Sequence, residues 1–202
     1  MIMMRPTPDA DARRQNPSAG FTLVELLVYV SLFVFILVIA GSFMLQGLRA
    51  EKLVLGAAQA TKTGQLIAHS VKRGISNSSN FQHTVDANGR ELLVAHTRGP
   101  GATLTWVCEA WFYDPTLNGG SLFRKRVSPV APIAAPNAAR TGWTLLADGV
   151  LPAQSAVGSR VLRASGPNVT LDLTIDVDKG APFLVSTTIH RRIPGAESLA
   201  CF

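Results

Sequence analysis

Gly20-Phe21-Thr22-Leu23-Val24-Glu25 leads directly into an apolar run, and residues 26–48 include no charged side chain. Leu, Val, Phe and Ile dominate this run. A helix rises about 1.5 Å per residue, so the run would extend about 35 Å as a helix. The hydrocarbon core of a bilayer is about 30 Å thick, and the run is therefore long enough to cross a membrane.

Glu25 places a carboxylate at the edge of this apolar run. An unpaired charge at the centre of a membrane helix costs about 3 kcal/mol, and somewhat less near the interface. Because this cost must be offset, we expect the Glu25 carboxylate to have a partner.

The junction at residues 20–25 resembles the prepilin signature of type IV pilins and type II secretion pseudopilins. In that family a polar, basic leader ends in Gly, and a membrane peptidase cuts after it. The new first residue, usually Phe, is N-methylated, and the fifth mature residue is Glu. Here the resemblance makes 1–20 the leader, Gly20-Phe21 the processing site and Glu25 the fifth mature residue. It covers about the first quarter of the chain.

Two other interpretations of the apolar run are weaker. A secretory signal peptide has an apolar core of about 7–15 residues, followed by a small-residue cleavage site. Here the run is longer, and Ala40-Gly41-Ser42 lies inside it. An ordinary membrane anchor would explain the run but neither the Gly-Phe junction nor Glu25.

The family resemblance implies an α+β fold, in which a long N-terminal helix packs on an antiparallel β-sheet. It divides the chain into a leader (1–20), a transmembrane and assembly helix (21–48), the second half of that helix (49–74) and an extracytoplasmic β domain (75–202). The function it implies is that of a filament subunit in a pilus or a type II secretion pseudopilus. The order of strands and the long loops look most like a minor pilin or a J-type minor pseudopilin.

The same resemblance implies the partners and the location of the protein. The partners are a prepilin peptidase, other pilins or pseudopilins and an assembly platform in the membrane. The chain would cross the inner membrane once, with its C-terminal domain outside, before it enters an extracellular or periplasmic filament. The alternative is a membrane-anchored protein that binds a solute or DNA and does not polymerise.

An apolar stripe continues the helix beyond the membrane run. Its members step by three and four residues, as one face of a helix requires, and they are Leu53, Ala57, Ala60, Gly64, Ile67 and Val71. This stripe is the face that would pack on the sheet. Gly74 follows Lys72-Arg73 and is predicted to end the helix, since glycine and basic residues favour helix C-termini.

The remaining chain has the alternating pattern of β-strands. Strands are predicted over Leu92–His96, Leu104–Tyr113, Leu122–Val127, Val169–Val177 and Phe183–His190. Residues 76–80 are predicted to form a turn-rich connector, and 143–151 is ambiguous, with a turn at Asp148-Gly149. These strands would form an antiparallel sheet of consecutive hairpins.

Charge and cysteine content restrict the interpretation only partly. The basic residues that give the net charge of +6 are scattered along the chain. The charge therefore gives no specific support for nucleic acid as a partner. Basic residues are balanced across the apolar run, so the orientation rests on the family resemblance.

Cys108 and Cys201 allow one disulfide, which would persist outside the cytoplasm. Two unrelated thiols are the alternative.

No catalytic or metal-binding motif is recognisable, and we expect neither an enzyme nor a cofactor. The four histidines lack metal-ligand spacing. Asp86–Glu91 and Asp176–Asp178 contain oxygen ligands of the kind that calcium uses, but neither follows the full calcium-loop pattern. A plain turn is the favoured interpretation of both segments.

Overall fold

The computed structural model describes residues 22–99, 105–153, 160–176, 182–192 and 200–202. The chain divides into two units, Met1–Arg49 and Ala50–Phe202. One long helix, α1, is followed by the strands β1 to β9. Their bounds are α1 Leu23–Ser76, β1 Ser78–Val85, β2 Glu91–Arg98, β3 Trp106–Asp114, β4 Ser121–Val127, β5 Thr144–Ala147, β6 Val150–Pro152, β7 Leu162–Ser165, β8 Asn168–Ile175 and β9 Phe183–His190.

The first unit contains the apolar start of α1, and residues 22–49 are all exposed. This part of α1 is long and apolar enough to cross a membrane, and none of that segment is buried within the chain. Exposed apolar surface of this extent is unfavourable in water. The predicted transmembrane helix is therefore confirmed in its length and composition.

In the second unit, α1 packs on two antiparallel sheets, which confirms the predicted α+β fold. The buried residues of α1 are Ala60, Gly64, Ile67, Val71, Gly74 and Ile75. The predicted stripe was wrong at its start, because Leu53 is 44 % exposed and Ala57 is exposed. The buried face begins at Ala60, about two helical turns later than expected.

Gly74 does not end the helix, and this prediction was wrong. The helix continues to Ser76, and Gly74 is buried against the indole ring of Trp111, which occupies the space that a Cβ would need. The indole Nε1 of Trp111 donates a hydrogen bond of 3.0 Å to Ser70 Oγ. Glycine is therefore required at this position for close packing. Gly64 plays the same part, because a Cβ there would lie 2.7 Å from the ring of Phe183.

The strands form two sheets instead of the single sheet that was predicted. The first contains β1 to β5 in sequence order. In the second, β9 pairs along β8 over residues 168–175. β6 pairs with residues 173–175 of β8 and β7 with residues 168–171. Since a strand has two edges, β6 and β7 share the edge of β8 opposite β9.

Two strands were missed in the sequence. β1 covers part of the predicted connector. Its Ser- and Asn-rich sequence does not predict a strand, but its ladder with β2 supplies hydrogen-bond partners for its backbone. β7 is only four residues long. β9 was predicted with its correct bounds, and the ambiguous 143–151 segment contains β5 and β6, separated by the predicted turn.

Glu91 joins the two sheets. Its side chain is 1 % exposed and accepts hydrogen bonds from the backbone N–H groups of Val161 (2.9 Å) and Leu162 (2.7 Å). The imidazole Nε2 of His83 lies 3.5 Å from the same carboxylate. A buried carboxylate is tolerated only when hydrogen bonds replace its water, so β2 and the start of β7 are held together at this point.

A disulfide joins Cys108 on β3 to Cys201 near the C-terminus. Both residues are buried in a second core with Val94, Ala110 and Ile133. The backbone N–H of Ile133 donates to the carbonyl of Cys201 at 3.1 Å, which fixes the 128–143 loop beside the C-terminus. In the chain-entropy model, a bridge between residues 93 apart contributes on the order of 4 kcal/mol.

Gly74→Ala should destabilise the second unit although alanine is the better helix former. The added Cβ meets the Trp111 ring, and overpacking of this kind costs about 1–3 kcal/mol, against a helix-propensity gain of about 1 kcal/mol. Denaturant unfolding of the full chain in micelles, followed by tryptophan fluorescence, measures the difference.

Gly47→Ala is the matched control for this experiment, because a Cβ at Gly47 meets nothing within 4 Å. It should leave the unfolding midpoint unchanged or raise it slightly, because only the gain in helix propensity remains. A Gly74→Ala protein that unfolds at the same denaturant concentration as the wild type, or at a higher one, would contradict the packing argument.

Candidate processing and assembly site

The predicted processing residues, Gly20 and Phe21, lie outside the residues that the structure describes. Thr22 is the first described residue, and Glu25 lies in the first turn of α1. The geometry of the site is therefore known from Thr22 onward. The two cysteines lie in the second unit and take no part in it.

Thr22 caps the N-terminus of α1. Its Oγ1 accepts a hydrogen bond of 3.3 Å from the backbone N–H of Glu25, and its carbonyl accepts one of 3.1 Å from Leu26. A threonine followed three residues later by a glutamate is the pattern of a capping box. The Glu25 carboxylate also lies near the positive end of the helix dipole, where a negative charge is favoured.

Tyr29 supplies the Glu25 side chain with a hydrogen bond from within the chain. Its Oη donates to Glu25 Oε1 at 3.2 Å, one helical turn further on. This partner was not predicted from the sequence, although side chains four residues apart on a helix are neighbours and the spacing of the pair indicates the contact. The desolvation cost of the carboxylate is thus partly offset without a second molecule.

The serine hydroxyls of the apolar run are also satisfied within the helix. Ser31 Oγ donates to the carbonyl of Val28 at 2.8 Å, and Ser42 Oγ donates to the carbonyl of Ile39 at 2.7 Å. Such bonds to carbonyls one turn back are the usual solution in lipid, where no water is available. Polar groups in this segment are therefore compatible with a membrane.

The carboxylate of Glu25 can bind more than the phenol of Tyr29. A carboxylate offers about four acceptor positions, and the structure assigns one of them to Tyr29 Oη. Glu25 is exposed, so its second oxygen can be reached by a cation. A cationic group brought to this helix face would meet the one carboxylate at the edge of the uncharged run 26–48.

Several acidic residues of the second unit are engaged in the fold. Glu109 pairs with Arg124 and Arg126, and Asp172 pairs with Arg163. The carboxylate of Asp86 closes its own turn by accepting the backbone N–H groups of Asn88 and Arg90, both at 2.9 Å. The 86–91 segment is thus a turn, as favoured.

Asp114 shows the same structural use of a carboxylate. Burial raises its pKa, but hydrogen bonds from Thr116 and Arg140 outweigh that effect and bring the pKa below its usual value. Within the described ranges, no group of three or more His, Cys, Asp or Glu side chains could hold a metal ion. Asp178 of the other oxygen-rich segment lies outside those ranges.

A family model described as the prokaryotic N-terminal methylation motif matches residues 15–41. The chain carries this methylation motif. The match includes Gly20, Phe21 and Glu25, and it confirms the predicted resemblance to prepilins. The N-terminus therefore resembles that of the type IV pilins and pseudopilins that a prepilin peptidase processes. No curated protein and no solved structure matches the chain significantly.

Removing the Glu25 carboxylate should change the hydrogen bonding of Tyr29 and leave the other tyrosine unaffected. The chain has two tyrosines, Tyr29 and Tyr113, and Tyr113 Oη donates instead to the carbonyl of Val150 at 3.1 Å. With tyrosine labelled at the 13Cζ position, Glu25→Leu in bilayers should move one of the two NMR signals. Tyr29→Phe assigns that signal by deleting it.

Glu51→Leu is the control, because it removes the other carboxylate of α1 outside the apolar run. It should move neither signal. An unchanged Tyr29 signal in Glu25→Leu would show that the phenol does not bind the carboxylate in a membrane.

Proposed function

We propose that the chain is a minor structural subunit of a type IV pilus-like or type II secretion pseudopilus filament. A prepilin peptidase would cut it after Gly20 and N-methylate Phe21. The observation that carries this proposal is the methylation motif at residues 15–41, which leads into a helix whose apolar first half is fully exposed. The assignment as a minor subunit is supported by the long 128–143 loop and the second sheet.

Assembly would transfer α1 from one apolar environment to another. In the membrane, lipid covers the side chains of residues 21–48. In the filament, the same residues of many copies would cover one another and form the fibre core. Apolar surface buried in this way contributes about 25 cal/mol per Å², while lipid offers a similar environment, so the transfer itself is nearly neutral. Polar contacts then decide which arrangement of helices is preferred.

Glu25 supplies the polar contact that would specify the arrangement. The N-methylated amine of an incoming Phe21 stays cationic at neutral pH and can approach the Glu25 carboxylate of a subunit already in place. In an apolar environment this attraction is much stronger than in water. Sliding one helix along the other would leave both charges unpaired and desolvated, which costs several kcal/mol. The pair would therefore fix the register of neighbouring subunits.

Membrane location and orientation follow from the same proposal. Residues 1–20 would be the leader, 21–48 the membrane and assembly segment, 49–74 the second half of the helix and 75–202 a domain outside the inner membrane. The disulfide between Cys108 and Cys201 supports this orientation, because disulfides persist outside the cytoplasm. Other pilins or pseudopilins and a membrane assembly platform would be the partners, and the protein itself would have no catalytic role.

Glu25→Leu should retain cleavage and membrane insertion but lose entry into the filament. The apolar replacement suits the membrane, whereas an incoming amine is left without its carboxylate. An uncompensated buried charge costs about 3–5 kcal/mol, so incorporation should fall about 100-fold or more. The processed form and the sheared filament fraction are quantified in the native host.

Glu51→Leu again serves as the matched control and should enter filaments as the wild type does. Wild-type incorporation of Glu25→Leu would exclude the pairing role, and loss of its cleavage would assign Glu25 to peptidase recognition. A wild-type protein that remains in the membrane fraction and is absent from sheared filaments would instead support an anchored binding protein.

A further inference from the structure

β9 forms one edge of the second sheet, and alternate backbone groups along it point away from β8. The two strands pair over the whole of β9 without a register shift. One position beyond this ladder, the backbone N–H of Arg191 donates to the carbonyl of Pro167 at 3.0 Å. Because alternate residues of an antiparallel strand bond to the same neighbour, the odd-numbered residues of β9 bond to β8. The backbone groups that point away from β8 are those of Leu184, Ser186, Thr188 and His190.

This outer side of β9 is open. Among the described residues, no backbone group pairs with it between residues 184 and 190. The next outward N–H, that of Arg192, donates to the carbonyl of Ser76 at 3.3 Å. The side chains of the four outward residues are exposed, and Leu184 is exposed to 54 %. A row of unpaired N–H and C=O groups of this kind is a template for another strand.

The other edge strands that the structure describes are short or blocked. β5, β6 and β7 have four, three and four residues. β1 has eight residues, but its register shifts between Ser78 and Asn80, and the guanidinium of Arg191 donates to the carbonyl of Ser79 at 2.7 Å. Irregularities, charges and proline protect sheet edges against pairing. β9 also has eight residues, yet it contains no Asp, Glu, Lys, Arg or Pro.

The two faces of β9 indicate which side chains an added strand would carry. Phe183 and Val185 are half-buried, and both lie against Gly64 of α1. An added strand would continue this face of the sheet, so its side chains there should be apolar and cover the two residues. Ser186 and Thr188 present hydroxyl groups on the opposite face, where a hydroxyl of the added strand can pair with them.

A second copy of β9 fits this edge less well than such a strand. Two copies can match their outward backbone groups in two antiparallel registers of equal and greatest overlap. In these registers Leu184 would lie beside Thr188 or His190 of the other copy. The most exposed apolar side chain of the strand would thus gain a polar neighbour. A strand with an apolar residue opposite Leu184 covers it better.

We propose that β9 binds an extended segment of a partner protein as an additional antiparallel strand. The segment would carry apolar side chains beside Phe183, Leu184 and Val185 and hydroxyl side chains beside Ser186 and Thr188. Addition of a strand to a sheet edge is a recurrent binding mode, in which backbone hydrogen bonds supply affinity and alternate side chains supply specificity. This binding does not depend on whether the chain enters a filament.

The test uses the full chain in nanodiscs of zwitterionic lipid. The probe is the fluorescent peptide Thr-Val-Thr-Val-Leu-Val, with lysines added at both ends for solubility, and its anisotropy reports binding. In the proposed pairing, its threonine N–H groups point toward β9 and its valine N–H groups point away. Two further peptides carry backbone N-methyl groups, either on both threonines or on the first two valines.

Methylation of the threonines should weaken binding about 5- to 100-fold, because two hydrogen bonds are lost and each contributes a factor of about 2 to 10. The valine-methylated peptide is the matched control and should bind as the unmodified peptide does. Since both measurements use the wild-type chain, neither depends on the folding of a variant.

A pair of variants at one position tests the same edge from the side of the protein. Thr188→Pro removes an outward N–H and places a ring at the edge, but it leaves the backbone bonds between β9 and β8 in place. It should weaken binding of the unmodified peptide about tenfold. Thr188→Val retains the N–H and should bind the peptide within about 2-fold of the wild type.

The proposal would be overturned by no measurable binding of the unmodified peptide, by an equal loss with both methylated peptides, or by wild-type binding in Thr188→Pro. It would also be overturned if native mass spectrometry found a dimer of the chain that Thr188→Pro separates and Thr188→Val does not. That result would assign the outer side of β9 to a second copy of the chain.

Discussion

The apolar surface of the first half of α1 is the constraint on which the rest of the molecule depends. The large apolar side chains from Leu23 to Ile39 are each between 41 % and 79 % exposed. At about 25 cal/mol per Å², leaving this surface in water is strongly unfavourable. The segment must therefore lie in lipid or against other helices. The few polar groups it carries are compatible with both, because Tyr29 bonds to Glu25 and each serine bonds to a carbonyl one turn back.

The second half of α1 differs, because one face of it packs against the sheets of the same chain. Gly64 and Gly74 have no side chain where Phe183 and Trp111 lie against the helix. The sheets can therefore approach the helix backbone closely, and Glu91 holds the two sheets together through its bonds to β7. The first half of α1 thus exposes an apolar surface that other molecules must cover, whereas the apolar face of its second half is buried within the chain.

The sequence predicted best those features that arise from local periodicity. The uncharged run and its Gly-Phe junction identified the membrane helix and the methylation motif, and strict alternation identified β8 and β9. It failed where tertiary packing overrides local preference. Gly74 has the sequence context of a helix end, yet Trp111 packs on it within the helix. β1 has a loop-like composition and is a strand because β2 pairs with it.

The site was predictable in its residues but only partly in its contacts. Glu25 was recognised by its position after the junction, while Tyr29 was overlooked although the spacing of the two side chains indicates a contact. The role of Glu91 could not be foreseen, because its partners lie 70 and 71 residues further along the chain. Long-range partners of buried charges depend on the packing of the whole domain, and no local sequence pattern predicts them.

The most direct test of this account is the mass of the mature N-terminus in protein purified from its own host. Intact-mass and N-terminal peptide analysis should find a chain that begins at Phe21 and carries one methyl group on its amine. Cleavage there would create the cation that the Glu25 carboxylate is proposed to bind. A mature chain that still begins at Met1, or that is cut within residues 26–48, would contradict the account.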